Sequence, residues 1–120
     1  MKPKLLIVDD EVSLRELYRL DLADEGYEVH TAANSKEAMA MLADEKYEVI
    51  IVDIQMPGMF GIDLLQNIKA KDRHQSVIVN TSHAVHQENF MTWAAEAYVV
   101  KSFSTDELKR AIRNVLANQS

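Results

Sequence analysis

Val49-Ile50-Ile51-Val52-Asp53 is a run of four β-branched aliphatic residues closed by an acid. An apolar run of this length, without alternation, fits a strand buried on both faces, as in a parallel sheet. The same pattern recurs on either side. Leu5 to Asp10 (LLIVDD) reads as a first strand ending in two acids, Tyr27 to Ala32 as the second, Val77 to Thr81 as the fourth and Ala97 to Lys101 as the fifth. Amphipathic stretches separate them. Ser13-Leu14-Arg15-Glu16 has capping-box spacing and predicts a helix carrying Leu14, Leu17 and Tyr18 on one face until Gly26, a natural terminator. Ser35 is expected to cap a helix with Ala38, Met41 and Leu42 inward, and a helix with Leu65 and Ile68 inward follows the turn Pro57 to Gly61. A weaker helical segment spans roughly Gln87 to Ala95. Ser104-Thr105-Asp106-Glu107 is a second capping box, ahead of a stripe formed by Leu108, Ala111, Ile112, Val115 and Leu116.

Strict strand–helix alternation implies an α/β fold: a doubly wound three-layer α/β/α sandwich around a five-stranded parallel sheet with right-handed crossovers. The 120 residues are expected to form one domain, 1–120, with no linker and no effector domain. A hydrophobic fraction of 48% suffices for a core, and a net charge of −6 with scattered basic residues argues against direct nucleic-acid binding. The longest apolar stretches, about five residues, fall far short of the roughly 20 that span a bilayer, so no membrane association is expected. Zero cysteines exclude disulfides and thiol catalysis. Met1-Lys2-Pro3-Lys4 leads into a strand with no secretory region, which points to the cytoplasm.

In open parallel sheets, ligands bind outside the carboxyl ends of the strands. There the sequence places Asp9 and Asp10, Asp53, Thr81 and Lys101. Each is unremarkable alone, as a loop acid, a strand-end threonine or a solvated lysine. Their gathering at one end of a sheet is what carries meaning. Three close carboxylates repel one another, and a divalent cation relieves that repulsion. Mg²⁺ (Mn²⁺ being the alternative) takes oxygen ligands, typically one or two carboxylates with phosphate oxygens and water. A carboxylate beside it can act as nucleophile toward a phosphorylated donor and become an aspartyl phosphate, with the lysine as charge partner and the threonine as hydrogen-bond donor.

The strings LLIVDDE, VIIVDIQMPGMFGIDLL, VIVNTS and AYVVKSF, in that order along the chain, closely resemble the receiver domain of two-component response regulators, here of the single-domain type. The resemblance implies a flavodoxin-like strand order 2-1-3-4-5. It further implies that Asp53 is the phosphoacceptor, that Asp10 binds the metal directly and Asp9 mostly through water, and that the Gln55 carbonyl completes the protein ligands. Lys101 would pair with the phosphoryl group, Thr81 would shift to bond it, and Tyr98 would be the aromatic that moves with Thr81. Gln55 and His83 occupy the positions that modulate the lifetime of the phosphorylated state.

The expected function is therefore a phosphorylation-dependent switch rather than an enzyme. Its donor would be a sensor histidine kinase or a histidine phosphotransfer protein, and its output a downstream protein effector, with dimerisation an open option. Output is expected through the face built from the segment Gln87 to Ala95, the fifth strand and the last helix. Two alternatives share the nucleophile: a phosphatase working through an aspartyl phosphate, and a degenerate receiver that only binds. Gln55 stands where such phosphatases often carry a second acid and cannot transfer protons in that role. Departures from the family pattern are Ser102 in place of a proline after the lysine, Phe60 in place of an acid, Ser82 in place of a small alanine, and a shorter stretch from Thr81 to Lys101 that contains Trp93.

Overall fold

The computed structural model describes residues 2–53, 61–81, 95–101 and 104–119. The segment Gln87 to Ala95 lies, but for Ala95, outside the described residues, as do Gln55, Pro57, Phe60, Ser82, His83, Trp93 and Ser102. Along the chain run β1 (Lys4–Val8), α1 (Val12–Asp24), β2 (Glu28–Ala32), α2 (Ser35–Asp44), β3 (Val49–Val52), α3 (Gly61–Lys71), β4 (Ser76–Thr81), β5 (Ala97–Val100) and α4 (Asp106–Ala117).

All strand pairs are parallel, and the sheet order is β2-β1-β3-β4-β5. The three central strands are buried almost throughout, which is why Leu5 to Val8, Val49 to Val52 and Val77 to Val79 read as unbroken apolar runs. Successive side chains alternate between two separate cores. Leu6, Val8, Ile50, Val52, Val77 and Val79 pack with Ala38 of α2 and Leu64, Leu65 and Ile68 of α3. Leu5, Ile7, Val49, Ile51, Ile78 and Val99 pack on the opposite face with Tyr18 and Leu22 of α1 and Leu108, Ile112 and Val115 of α4. The sheet is therefore wound on both sides, and its edge strands β2 and β5 are more exposed than its centre.

The helix starts differ from the sequence expectation, and each difference has a local cause. α1 begins at Val12 with Glu11 as N-cap, not at Ser13. The Asp9 carboxylate accepts the Glu11 amide at 3.0 Å, turning the chain into the helix early. The cap of α2 is Asn34, which accepts the Glu37 amide at 2.8 Å, while Ser35 sits buried one residue inside. Thr105 is the N-cap of α4 but gives no side-chain cap, because its hydroxyl donates instead to Asp21 of α1 at 2.8 Å. Ser104 accepts the Asp106 amide at 3.1 Å. Strands β1, β3 and β5 stop at Val8, Val52 and Val100, one or two residues earlier than expected, so their terminal acids and lysine lie just beyond the ladder.

The end of α1 follows the sequence. Gly26 has φ +99°, its amide bonds to the Ala23 carbonyl at 3.0 Å, and the Tyr27 amide bonds to the Leu22 carbonyl at 3.3 Å. This is the left-handed Schellman ending, with Tyr27 packing in the same core as Leu22. A Cβ at Gly26 would meet nothing within 4 Å, so only the backbone conformation resists substitution. Gly26→Ala is expected to lower stability by about 1 kcal/mol in urea titrations, the cost of a left-handed L-residue, with no change in m-value.

Candidate functional site

The carboxyl edge of the sheet gathers the charged residues. Asp9 follows β1, and its amide bonds to the Ala32 carbonyl at 3.2 Å; Asp53 follows β3, and its amide bonds to the Val8 carbonyl at 3.0 Å. The Lys101 amide bonds to the Thr81 carbonyl at 2.7 Å. Backbone bonds thus fix three of the candidate residues as continuations of the ladder. Asp9 and Asp53 are buried, at 2% and 6% exposure, whereas Asp10 is exposed.

The Lys101 ammonium bridges the two buried acids, at 2.8 Å from Asp9 Oδ2 and 2.9 Å from Asp53 Oδ2. Burial pulls the Lys101 pKa down, but hydrogen bonds and charge attraction from Asp9 and Asp53 outweigh it and leave the pKa raised above 10.5. Among the described residues, one ammonium here faces two buried carboxyl groups. Asp9, Asp10 and Asp53 can each bring a carboxylate oxygen within 4.8 Å of the others, an all-oxygen donor set that fits a hard divalent cation.

Thr81 is fully buried at the end of β4. Tyr98, partly buried and packed against the α2/α3 core, lies on β5 in register with Val79, two residues before Thr81. The structure therefore brings Asp9, Asp10, Asp53, Lys101 and Thr81 to one edge and places Tyr98 beside β4. Gln55 and His83 fall outside the described residues.

Three further residues belong to this neighbourhood. Arg15 of α1 donates to the Asp9 carbonyl at 2.7 Å, tying the acidic loop to the helix. Tyr18 of α1 is buried with the Asn80 side chain nearby, close enough to feel the charges of Lys101, Asp9 and Asp53. Burial raises the Tyr18 pKa, with the neighbouring Asn80 amide opposing.

The class is thus a doubly wound parallel α/β domain with a lysine-bridged acidic cluster at its carboxyl edge. Residues 5–113 match the family model of the response regulator receiver domain, and the chain belongs to that family, the signalling module of two-component systems. It is 40% identical to the response regulator TrrA of Thermotoga maritima. The structure of TrrA in complex with Mg²⁺ and BeF matches with a TM-score of 0.90, covering 97% of this chain and 100% of that one. TrrA in complex with the histidine kinase ThkA matches at a TM-score of 0.88 over 97% of this chain and 99% of that one. Sporulation initiation phosphotransferase F of Bacillus subtilis (strain 168) is 32% identical over 100% of this chain and 98% of its own length. Regulatory protein AtoC of Escherichia coli (strain K12) is 34% identical over 98% of this chain, which spans only 26% of it.

Lys101→Met leaves Asp9 and Asp53 facing each other without the ammonium. Urea unfolding should show a loss of roughly 3 kcal/mol at neutral pH. In the unsubstituted protein, a folded-state pKa above 10.5 means that the Lys101 contribution is complete at neutral pH. That contribution is lost only as pH rises through the raised value.

Proposed function

We propose that this chain is a phosphorylation-dependent switch in which Asp53 accepts a phosphoryl group from a phosphohistidine on a histidine kinase or a histidine phosphotransfer protein. The observation that carries this reading is the Lys101 ammonium held between Asp9 and Asp53 at the carboxyl edge of the sheet. A carboxylate oxygen of Asp53 attacks phosphorus, the phosphorus–nitrogen bond of the donor breaks, and the donor imidazole leaves with the electron pair. Asp9, Asp10 and Asp53, with the Gln55 carbonyl, would hold Mg²⁺, whose charge offsets that of the phosphoryl oxygens when bound.

Lys101 is already at ion-pair distance from the nucleophile, so it meets the incoming negative charge without a large rearrangement. The aspartyl phosphate adds nearly two negative charges where one carboxylate stood. Thr81, at the end of the neighbouring strand, donates its hydroxyl to a phosphoryl oxygen, and Tyr98 shifts with it. The response then changes partner binding on the side built from β5 and α4, by differential affinity for the two states. The complex of TrrA with ThkA supports a kinase donor by similarity, and the Mg²⁺–BeF complex of TrrA supports the metal.

Incubation with acetyl phosphate and Mg²⁺ should add the mass of one phosphoryl group to the intact chain, and Asp53→Asn should add none. Label on the Asn variant, or none on the unsubstituted chain, would sink the assignment. Thr81→Ala should still take up the group at Asp53, while the amide NMR shifts that beryllofluoride and Mg²⁺ induce along β4 and β5 shrink.

A further inference from the structure

Every polar group of Asp9 has a partner. Its amide bonds to the Ala32 carbonyl at 3.2 Å, Oδ1 accepts the Glu11 amide at 3.0 Å, and Oδ2 meets the Lys101 ammonium at 2.8 Å. The remaining group, the Asp9 carbonyl, accepts Nη1 of Arg15 at 2.7 Å. Arg15 is half-buried near the start of α1, and its own amide bonds to the Glu11 carbonyl at 3.0 Å. The side chain thus reaches back along the chain to the residue that follows β1.

The choice of acceptor is informative. An arginine beside an acidic cluster would ordinarily pair with a carboxylate through two parallel hydrogen bonds. Among the described residues, Arg15 makes no salt bridge with Asp9, Asp10 or Asp53, and the neighbouring Glu16 is taken by Arg19. The guanidinium is directed at a backbone oxygen instead. That oxygen belongs to the rigid plane of the Asp9–Asp10 peptide. Holding the plane at its carbonyl stops it from rotating, and so sets the direction in which Asp10 leaves the backbone. Asp10 is the exposed member of the three-carboxylate set, the one least confined by packing.

We propose that Arg15 is a positioning residue for the divalent cation: by holding the Asp9 carbonyl it keeps the Asp10 carboxylate turned toward those of Asp9 and Asp53. The inference rests on these three acids being the metal site of the function proposed above. Charge alone makes the opposite prediction. A guanidinium near the site repels a divalent cation, so its removal would by itself tighten Mg²⁺ binding modestly. Removing a group that orients a metal ligand weakens binding by about tenfold or more. The sign of the change separates the two effects.

The test measures Mg²⁺ binding to the full chain by amide NMR titration, with no phosphoryl donor present, and compares Arg15→Met with Arg19→Met. Arg15→Met keeps an apolar stem and removes the donor. Arg19→Met removes the same charge from the same helix and leaves the Asp9 carbonyl untouched. Arg15→Met should raise the half-saturating Mg²⁺ concentration by about tenfold, whereas Arg19→Met should leave it unchanged or slightly lower. Before any metal is added, the Asp10 amide nitrogen, bonded to the Asp9 carbonyl carbon, should shift in Arg15→Met and stay in place in Arg19→Met. With acetyl phosphate, Arg15→Met should accept slowly at low Mg²⁺ and regain the parental rate once Mg²⁺ is saturating. Parental or tighter Mg²⁺ binding by Arg15→Met would overturn the proposal, and so would equal weakening in both variants. Should Arg15→Met fail to fold, Arg15→Gln, whose side chain ends well short of the guanidinium, decides by the same measure. An unsubstituted chain that binds no Mg²⁺ overturns both this proposal and the reading of the three acids as a metal site. One that binds it equally well without Arg15 overturns this proposal alone.

Discussion

Two buried carboxylates facing one ammonium set the terms for the rest of the structure. Asp9 and Asp53 follow different strands, and their repulsion is offset by Lys101, which comes between them from the end of a third. That meeting depends on register. Val8 pairs with Val52 and Val52 with Val79, so Asp9 and Asp53 each stand one residue past a level line across β1, β3 and β4. Strand β5 runs ahead: Val100 pairs with Thr81, two residues beyond that line. Two residues of strand advance amount to about 6.6 Å, and β5 is separated from β3 by the width of β4. A long unbranched stem ending in a point charge suits the gap that this stagger creates. A slip of one residue in any pairing would turn the acid or the lysine to the other face of the sheet.

The sequence made the strands legible because burial on both faces leaves a mark that no surface pattern imitates. Leu5 to Val8, Val49 to Val52 and Val77 to Val79 admit no polar residue, and each is a central strand. Acids or a lysine following such runs could be read as one edge of the sheet, since parallel strands all point the same way. Helix starts were less legible, because a cap is a competition among neighbouring polar groups. At Ser13, the carboxylate of Asp9 had already taken the turn. At Ser35, the residue before it had the better side chain for the role. At Thr105, a partner distant in sequence, Asp21, took the hydroxyl. None of these outcomes is visible in a window of four residues.

The opposite edge of the sheet is built differently. There, side chains bind backbone across long sequence separations: Glu48 accepts the Lys4 amide at 2.6 Å, and Glu96 accepts the Val77 amide at 2.7 Å. Gln75 donates to the Tyr47 carbonyl at 3.0 Å, and Gln119 donates to the Glu48 carbonyl at 2.7 Å. His30 of β2 bonds Tyr47 at 2.8 Å through Nδ1 and Glu28 at 2.8 Å through Nε2. Contacts of this kind, exposed or half-buried, are individually modest. Together they involve every strand at or next to its first residues, β5 through Glu96, and so hold the amino edge as one unit.

This division follows from strand direction. In an antiparallel sheet, starts and ends alternate along each edge, and no edge can be reserved for one task. In this parallel sheet, all five starts lie at the braced edge and all five ends at the charged one. A change of charge near Asp53 is then applied at the free end of strands only four to six residues long, whose other ends are held. Of the strands beside β3, β4 is the one that leads to β5 and Lys101.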